Sequence, residues 1–112
     1  MLGPLGSELT RYLDLLSVRQ RLVSANLANL DTPGYRTKDI DFQFEFISAA
    51  STQSPNVIQP DGLVVKNDGN DVSLGRETRL LAENALRFNA AATLLKGEMR
   101  MVRRAITEGR NA

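Results

Sequence analysis

Cysteine, histidine and tryptophan do not occur in this chain of 112 residues. Without cysteine there can be no disulfide, no thiol chemistry and no cysteine metal site, while the compartment stays open. Without histidine the commonest general base and the commonest metal ligand are gone together. An excess of one charge is lacking as well. The net charge of +1 gives no bulk attraction for nucleic acid or an anionic membrane. No long apolar run is present, so no membrane-spanning helix is expected. The opening stretch "MLGPLGSELTRYLDLL" has no basic segment ahead of its apolar residues and does not read as a cleaved signal peptide. A route out of the cytoplasm would be one that needs no such signal. The length suits a single domain.

What is present is helical periodicity. Over residues 7–30, Leu9, Tyr12, Leu13, Leu16, Val23, Leu27 and Leu30 recur at the three-and-four spacing of one helix face. Ser7 suits an N-cap, and Glu8 suits the positive end of the helix dipole. Pro33 disfavours helix at Thr32, and Pro33-Gly34 fits the centre of a type II turn, so the first helix should end near residues 29–31. A second helix is expected over residues 73–108, about 50 Å long. Its seam is Leu81, Ala85, Phe88, Ala92, Leu95, Met99, Val102 and Ile106, a heptad rhythm suited to coiled-coil-like packing. Lys96, Arg100, Arg103, Arg104 and Arg110 gather at its carbonyl end. Between the helices, "KDIDFQFEF" alternates like a half-buried strand, "SAASTQSPNVIQPDG" reads as a mobile loop, and "LVVKNDGN" reads as a short strand entering a turn. The expected fold is mainly α: two long terminal helices in a coiled-coil-like hairpin, joined by a short loop and β excursion. The divisions are 1–35 for the first helix and its turn, 36–72 for a flexible middle, and 73–112 for the second helix, with the two terminal segments forming one helical domain.

Each helix carries a further apolar stripe. On the second helix it comprises Leu86, Ala90, Leu94, Gly97, Met101 and Ala105, centred roughly 160° from the seam at about 100° per residue. On the first it comprises Leu15, Val18, Leu22 and Ala25. A hairpin of two helices buries one stripe of each, so the second stripes are an expected assembly face. Burial of one seam is roughly matched by the entropy of ordering two helices, which implies a subunit completed by neighbours. Gly97 either marks close approach of another backbone or sits on a solvated face. Asn26 and Asn29 either set a register from within an apolar seam or solvate a fraying helix end.

The residues offer no recognisable catalytic, cofactor or metal constellation. Asp39 and Asp41 could share one strand face, but they have no pocket, histidine or metal partner and read as solvated carboxylates. "NDGND" is similar to the opening of a calcium loop but has no closing glutamate, and it reads better as a turn before a helix capped by Asp71 or Ser73. Ser17 and Ser24 have no histidine to activate them, and Gly3 and Gly6 belong to no phosphate loop.

At residues 26–35, "NLANLDTPGY", the chain resembles the bacterial flagellar axial proteins, those of rod, hook and hook-associated segments. The residues carrying the motif are Asn26, Ala28, Asn29, Thr32, Pro33, Gly34 and Tyr35. "YRTKDIDF" and "DGNDVSLGRETRLLAENALRFNAAATLL" extend the resemblance in the manner of the family's proximal-rod FlgB branch, and the short middle sets it apart from distal rod and hook proteins. The resemblance implies a structural subunit without cofactor or small-molecule substrate. Its terminal helices would pack into a helical tube at the base of the rod. Its partners would be copies of itself, FlgC-like rod proteins, the rod-base adaptor, the inner-membrane ring and the flagellar export apparatus. It would lie in the periplasmic rod, exported unfolded without a cleaved signal. Two other classes compete: a helical-hairpin adaptor that binds one partner, and a small DNA-binding helical protein, whose duplex binding would depend steeply on salt.

Overall fold

Proline opens the first helix. The computed structural model describes residues 3–48 and 54–111, and in it α1 spans Pro4–Ala28. Pro4 stands in the first turn, where a missing N–H leaves no bond unmade and the fixed φ is already helical. Gly3, not Ser7, is therefore the N-cap; Ser7 lies one turn inside and donates its N–H to the Gly3 carbonyl. Glu8 consequently falls outside the first turn, which holds no acid. At the other end Asn29 is the C-cap. Thr32, Pro33, Gly34 and Tyr35 then form the expected turn, closed by Tyr35 N–H on the Thr32 carbonyl at 3.2 Å with Gly34 at φ 75°.

The middle differs from its alternating pattern. Only Asp39–Ile40 is extended, as β1, and Phe42–Ile47 forms a short helix, α2. The Asp41 carboxylate caps α2 by accepting the Phe44 N–H, with Glu45 in the first turn. Helical spacing brings Phe42 and Phe46 to one side, and both meet Tyr12 of α1 edge-on, at 5.3 and 5.6 Å between centroids. A strand would send alternate rings to the same face as well, but without the cap. The partner of β1 is β2, Val57–Ile58, antiparallel with Asp39 opposite Ile58 and Ile40 opposite Val57. This strand lies in the stretch read as a mobile loop, of which residues 49–53 are outside the described residues. "LVVKNDGN" contains no strand; its residues 66–69 turn, with Gly69 N–H on the Lys66 carbonyl.

The last helix, α3, spans Leu74–Asn111, longer than the 73–108 expected. Of the two candidate caps it is Ser73 that serves, its hydroxyl accepting the Arg76 N–H at 3.2 Å. α1 and α3 run antiparallel. Asn26 lies beside Glu77, Gln20 beside Asn84, and Gly3 beside Glu98. Beyond Glu98 the longer helix outruns its partner, so the molecule is a rod with extents of 70 × 26 × 17 Å.

The α3 face turned to α1 carries Glu77, Leu80, Asn84 and Ala91, all buried. At about 100° per residue this face lies between the two expected stripes, roughly 60° from the seam. Leu81, Ala85, Phe88, Met99 and Ile106 are accordingly exposed, and Ala92, Leu95 and Val102 are half-buried. On α1, Leu16 and Val23 of the expected face are buried. Leu15 of its second stripe is buried too, at a small cleft shared with Glu45, Ser48 and Pro55, so the chain's own middle covers much of that side.

Phe46→Ala removes one of the two rings that hold α2 on Tyr12. It should cost about 1–2 kcal/mol in chemical denaturation, a half-buried aromatic contact. Far-ultraviolet circular dichroism should keep the α1 and α3 signal; collapse of that signal would mean α2 is integral to the hairpin rather than laid upon it.

Candidate assembly interface

The closed end of the hairpin is held by polar groups with almost no water around them. Asn26 is fully buried near the end of α1. Its amide nitrogen donates to the Lys38 carbonyl at 2.8 Å and to Glu77 Oε1 of α3. Its amide oxygen accepts the Tyr35 hydroxyl at 3.0 Å and the Lys38 N–H at 3.1 Å. All four hydrogen-bonding positions of the amide are thereby used. One side chain joins both long helices and the segment after the turn.

Ionised groups extend this junction. Asp39 of β1 accepts Arg19 of α1 through both guanidinium Nε, 3.1 Å, and Nη2, 3.0 Å, and it also accepts Arg76 of α3. Arg76 in turn holds Glu77, at 3.1 Å. The signs alternate along Arg19, Asp39, Arg76 and Glu77, which is how buried charge is made tolerable. Burial pushes the Glu77 carboxyl above the ordinary 4.5, and the Asn26 bond and the Arg76 charge offset only part of that. Burial, then the Glu77 and Asp71 charges, raises the Tyr35 phenol, so it remains a donor to Asn26.

A second clasp lies beside the first. Asn70, fully buried, donates to the Asn29 carbonyl at 2.9 Å and the Thr32 carbonyl at 2.8 Å, and accepts the Val72 N–H. Both carbonyls lie past Ala28, so this side chain braces the turn that follows α1. Asp71 accepts both the N–H and the hydroxyl of buried Thr37, at 2.6 and 2.8 Å. Burial would raise the Asp71 carboxyl, but those two bonds and the Arg36 charge outweigh it and hold it below the ordinary 3.8. Gly34 donates its N–H to the Asp68 carbonyl at 2.9 Å, and a β-carbon on Gly69 would stand 3.4 Å from Gly34 Cα. Both glycines have positive φ, so two tight turns meet backbone to backbone.

The motif residues thus come together at one place, though with unequal roles. Asn26 and Tyr35 are in the junction. Asn29 acts locally, with its amide nitrogen on the Ala25 carbonyl and its amide oxygen on the Thr32 hydroxyl. Pro33 and Gly34 make the turn, and Ala28 is an exposed last residue of α1. Sequence reading placed Asn29 on the second face of the first helix, with Asn26 at its edge, and it gave no role to Arg19, Asn70, Arg76 or Glu77. Asn70 stood in the noticed "NDGND" stretch; the other three are charged residues whose burial no local pattern signals.

Among the described residues the second stripe of α3 is largely exposed. Leu86, Leu94 and Met101 are 72, 61 and 67% exposed, and Ala90 and Ala105 are exposed with them. Gly97 is half-buried, but among the described residues a β-carbon there would meet nothing within 4 Å outside its own helix backbone. Val18, Leu22 and Ala25 of α1 are half-buried. On one flank of the hairpin Leu5, Leu9 and Tyr12 border a groove with Ala90, Ala91 and Leu94. On the other flank Leu16, Gln20 and Ser24 border a groove of about 600 Å³ with Ala85 and Phe88. Among the described residues no cluster of acidic side chains has the composition of a metal site, and no helix is long and apolar enough to cross a membrane.

Comparison with known proteins bears on this geometry. The family described as flagella basal body rod protein matches residues 13–36, the second half of α1 and the turn. Among full-length relatives, the flagellar basal body rod protein FlgB of Yersinia ruckeri is 30% identical, over 87% of this chain and 89% of its own. The FlgB of Salmonella typhimurium is 31% identical, over 79% of this chain and 82% of its own. The FlgB of Bacillus subtilis is 24% identical, over 91% and 92%.

Asn26→Ala strands buried Glu77 and three partly buried groups of Tyr35 and Lys38, and should cost about 3 kcal/mol, read from urea midpoints at constant slope. Asn29→Ala, whose bonds are local and partly exposed, should cost about 1 kcal/mol. Equal losses would remove Asn26 from the centre of the junction. The two buried carboxylates act oppositely on pH. Asp71, held low, contributes stability above pH 3.8 that is lost as pH falls through its folded value. Glu77, held high, contributes stability below pH 4.5 that is lost as pH rises through its folded value. Asp71→Asn should therefore flatten the acid limb of stability against pH. Glu77→Gln should gain on the parent chain as pH climbs past 4.5; parallel profiles for either pair would contradict the assignment.

Proposed function

Given that the chain belongs to the FlgB family of flagellar basal body rod proteins, we propose that it is a structural subunit of the proximal rod. In this reading it performs no catalysis. α1 and α3 assemble with copies of themselves and with FlgC-like rod proteins into a helical tube, between the inner-membrane ring with its rod-base adaptor and the rest of the rod. The chain reaches that place through the flagellar export apparatus.

One observation carries the reading. α3 meets α1 along a line between its two apolar stripes, so each stripe is left on a flank of the hairpin. Leu81, Ala85 and Phe88 lie on one flank; Leu86, Leu94 and Met101 lie towards the other. Large side chains exposed on both sides of a slender rod suit a subunit with a neighbour on each side, since a monomer gains nothing from them. A partner-binding adaptor would need only one such flank. The stripe expected as the hairpin seam, which α3 turns away from α1, joins the expected assembly face here as a contact surface between subunits. Gly97, where a β-carbon would meet none of the described residues within 4 Å outside its own helix backbone, suits a helix from a neighbour lying close against α3.

Gly97→Leu tests this. Leucine is the better helix former by up to about 1 kcal/mol, so the isolated subunit should be as helical and as stable as before, or more so. Assembly, followed by sedimentation with other rod proteins and by swimming of cells carrying the variant, should fail. Normal rods containing leucine at this position would exclude close packing over Gly97. The unassembled chain should also gain helicity and melt at a higher temperature on assembly. A melting temperature independent of concentration, with no gain in helicity, would exclude a subunit completed by neighbours.

A further inference from the structure

The two flanks of the hairpin differ in charge. In the groove that Leu16 shares with Ala85 and Phe88, Arg21 of α1 is the only charged residue on the lining, and no acid stands with it. In the groove on the other flank Glu8 faces Arg87, so charge is balanced there.

The cationic flank continues along α3 past the end of α1. The stripe that includes Ala85 and Phe88 runs on through Leu95, Met99, Val102 and Ile106 at heptad positions. One border of that stripe is a row of cations. Lys96, Arg103 and Arg110 follow one another at steps of seven residues, and all three are exposed. The opposite border holds Ala91, Glu98 and Ala105. Among the described residues no ion pair engages any of the three cations. The helix dipole explains Arg110 alone, because its pull is confined to the last turn, and Lys96 and Arg103 lie farther in.

We propose that this flank receives a helix of a different protein, one whose apolar seam is bordered by carboxylates at seven-residue steps. The inference rests on reading the chain as an assembly subunit and names the chemistry of its neighbour on one side. Charges that border an apolar heptad seam set partner choice between paired helices, and a cationic border selects an acidic one. A copy of this chain does not supply it. The acids of α3 are Glu77, Glu83, Glu98 and Glu108, those of α1 are Glu8 and Asp14, and within neither helix are two of them seven residues apart. A second α3 laid antiparallel on the stripe would set cation against cation. Laid parallel, it would offer Glu98 to Arg103 but only Ala91 and Ala105 to Lys96 and Arg110. The groove beside Arg21 extends the same acid-free track towards the closed end, so one long helix could follow the flank from α1 onto the extension.

Two designed peptides test it, each about four heptads long with leucine at the seam. One carries glutamate at every position bordering the seam, the other lysine. In fluorescence anisotropy the parent chain should bind the glutamate peptide and not the lysine peptide, and binding should weaken as salt is raised. Two variants then carry the same change in net charge. Lys96→Glu with Arg103→Glu reverses the row; Arg100→Glu with Arg104→Glu reverses cations away from the seam. All four positions are exposed, and circular dichroism of both variants should match the parent. The row variant should lose affinity for the glutamate peptide by at least about tenfold and gain it for the lysine peptide, while the other should change less than about twofold. Equal losses in the two variants would overturn the proposal, since an anionic vesicle or a nucleic-acid duplex reads total charge in that way. Failure of the parent to bind the glutamate peptide, or equal binding of both peptides, would overturn it too. If a chain that binds neither peptide still enters rods, the subunit reading stands without this neighbour. If the glutamate peptide binds but no rods form, the acidic partner stands and the subunit reading falls.

Discussion

The two long helices and the segment after the turn converge on one amide. Asn26 spends both its donors and both its acceptors on groups from α3, from the segment after the turn and from Tyr35. A buried amide with four partners has one orientation that satisfies them all, and any shift leaves several groups without water or partner. The alternating line Arg19, Asp39, Arg76 and Glu77 then ties the same three elements together a second time. Apolar seams between two helices do not define a register sharply, since leucines and alanines tolerate neighbours of similar size. Polar contacts that must all be made at once do define it.

The sequence made the long elements legible because they depend on periodicity and on backbone rules. Two helices, the stop before Pro33 and the positive φ at Gly34 follow from spacing and from what proline and glycine can adopt. Where competing local signals existed, the reading went astray for identifiable reasons. Pro4 outbid Ser7 as the start of α1. The alternation in "KDIDFQFEF" serves two periods: Phe42 and Phe46 are four apart as well as even-numbered, and the Asp41 cap decides between helix and strand. The junction was the least legible part. Glu77, Arg76 and Arg19 look like solvated helix residues until the fold brings Asp39 and Asn26 to them, from 20 to 51 positions away in the chain.

The faces of the long helices teach a related lesson. Two apolar stripes about 160° apart suggest one inner face and one outer face. In α3 the contact with α1 falls between them, where Leu80, Asn84 and Ala91 supply a narrow surface of modest side chains. In α1 the same arithmetic met a different outcome, because the middle of the chain folds back over Leu15. Stripe counting reveals how much apolar surface must be covered. It does not reveal by what, since that depends on segments whose own structure is set at a distance.

A division of labour follows from where the two kinds of contact lie. Polar specification is concentrated at the closed end, and the rest of the hairpin is held by a thin apolar line with exposed leucine, phenylalanine and methionine on its flanks. Sliding α3 by one heptad along α1, roughly 10 Å, would keep apolar groups facing apolar groups for most of the length. It would also part Asn26 from Glu77 and Asp39 from Arg76, leaving charged groups buried alone at a cost of several kcal/mol. That penalty holds the two helices at one offset, and the offset fixes how far the stripes on α3 stand from the turn, from Tyr35 and from α2. Flanks that adapt to neighbours can be used for ordered packing only if every copy presents them at the same height. The buried amide and its charged neighbours make the copies alike, so the apolar surfaces can remain permissive.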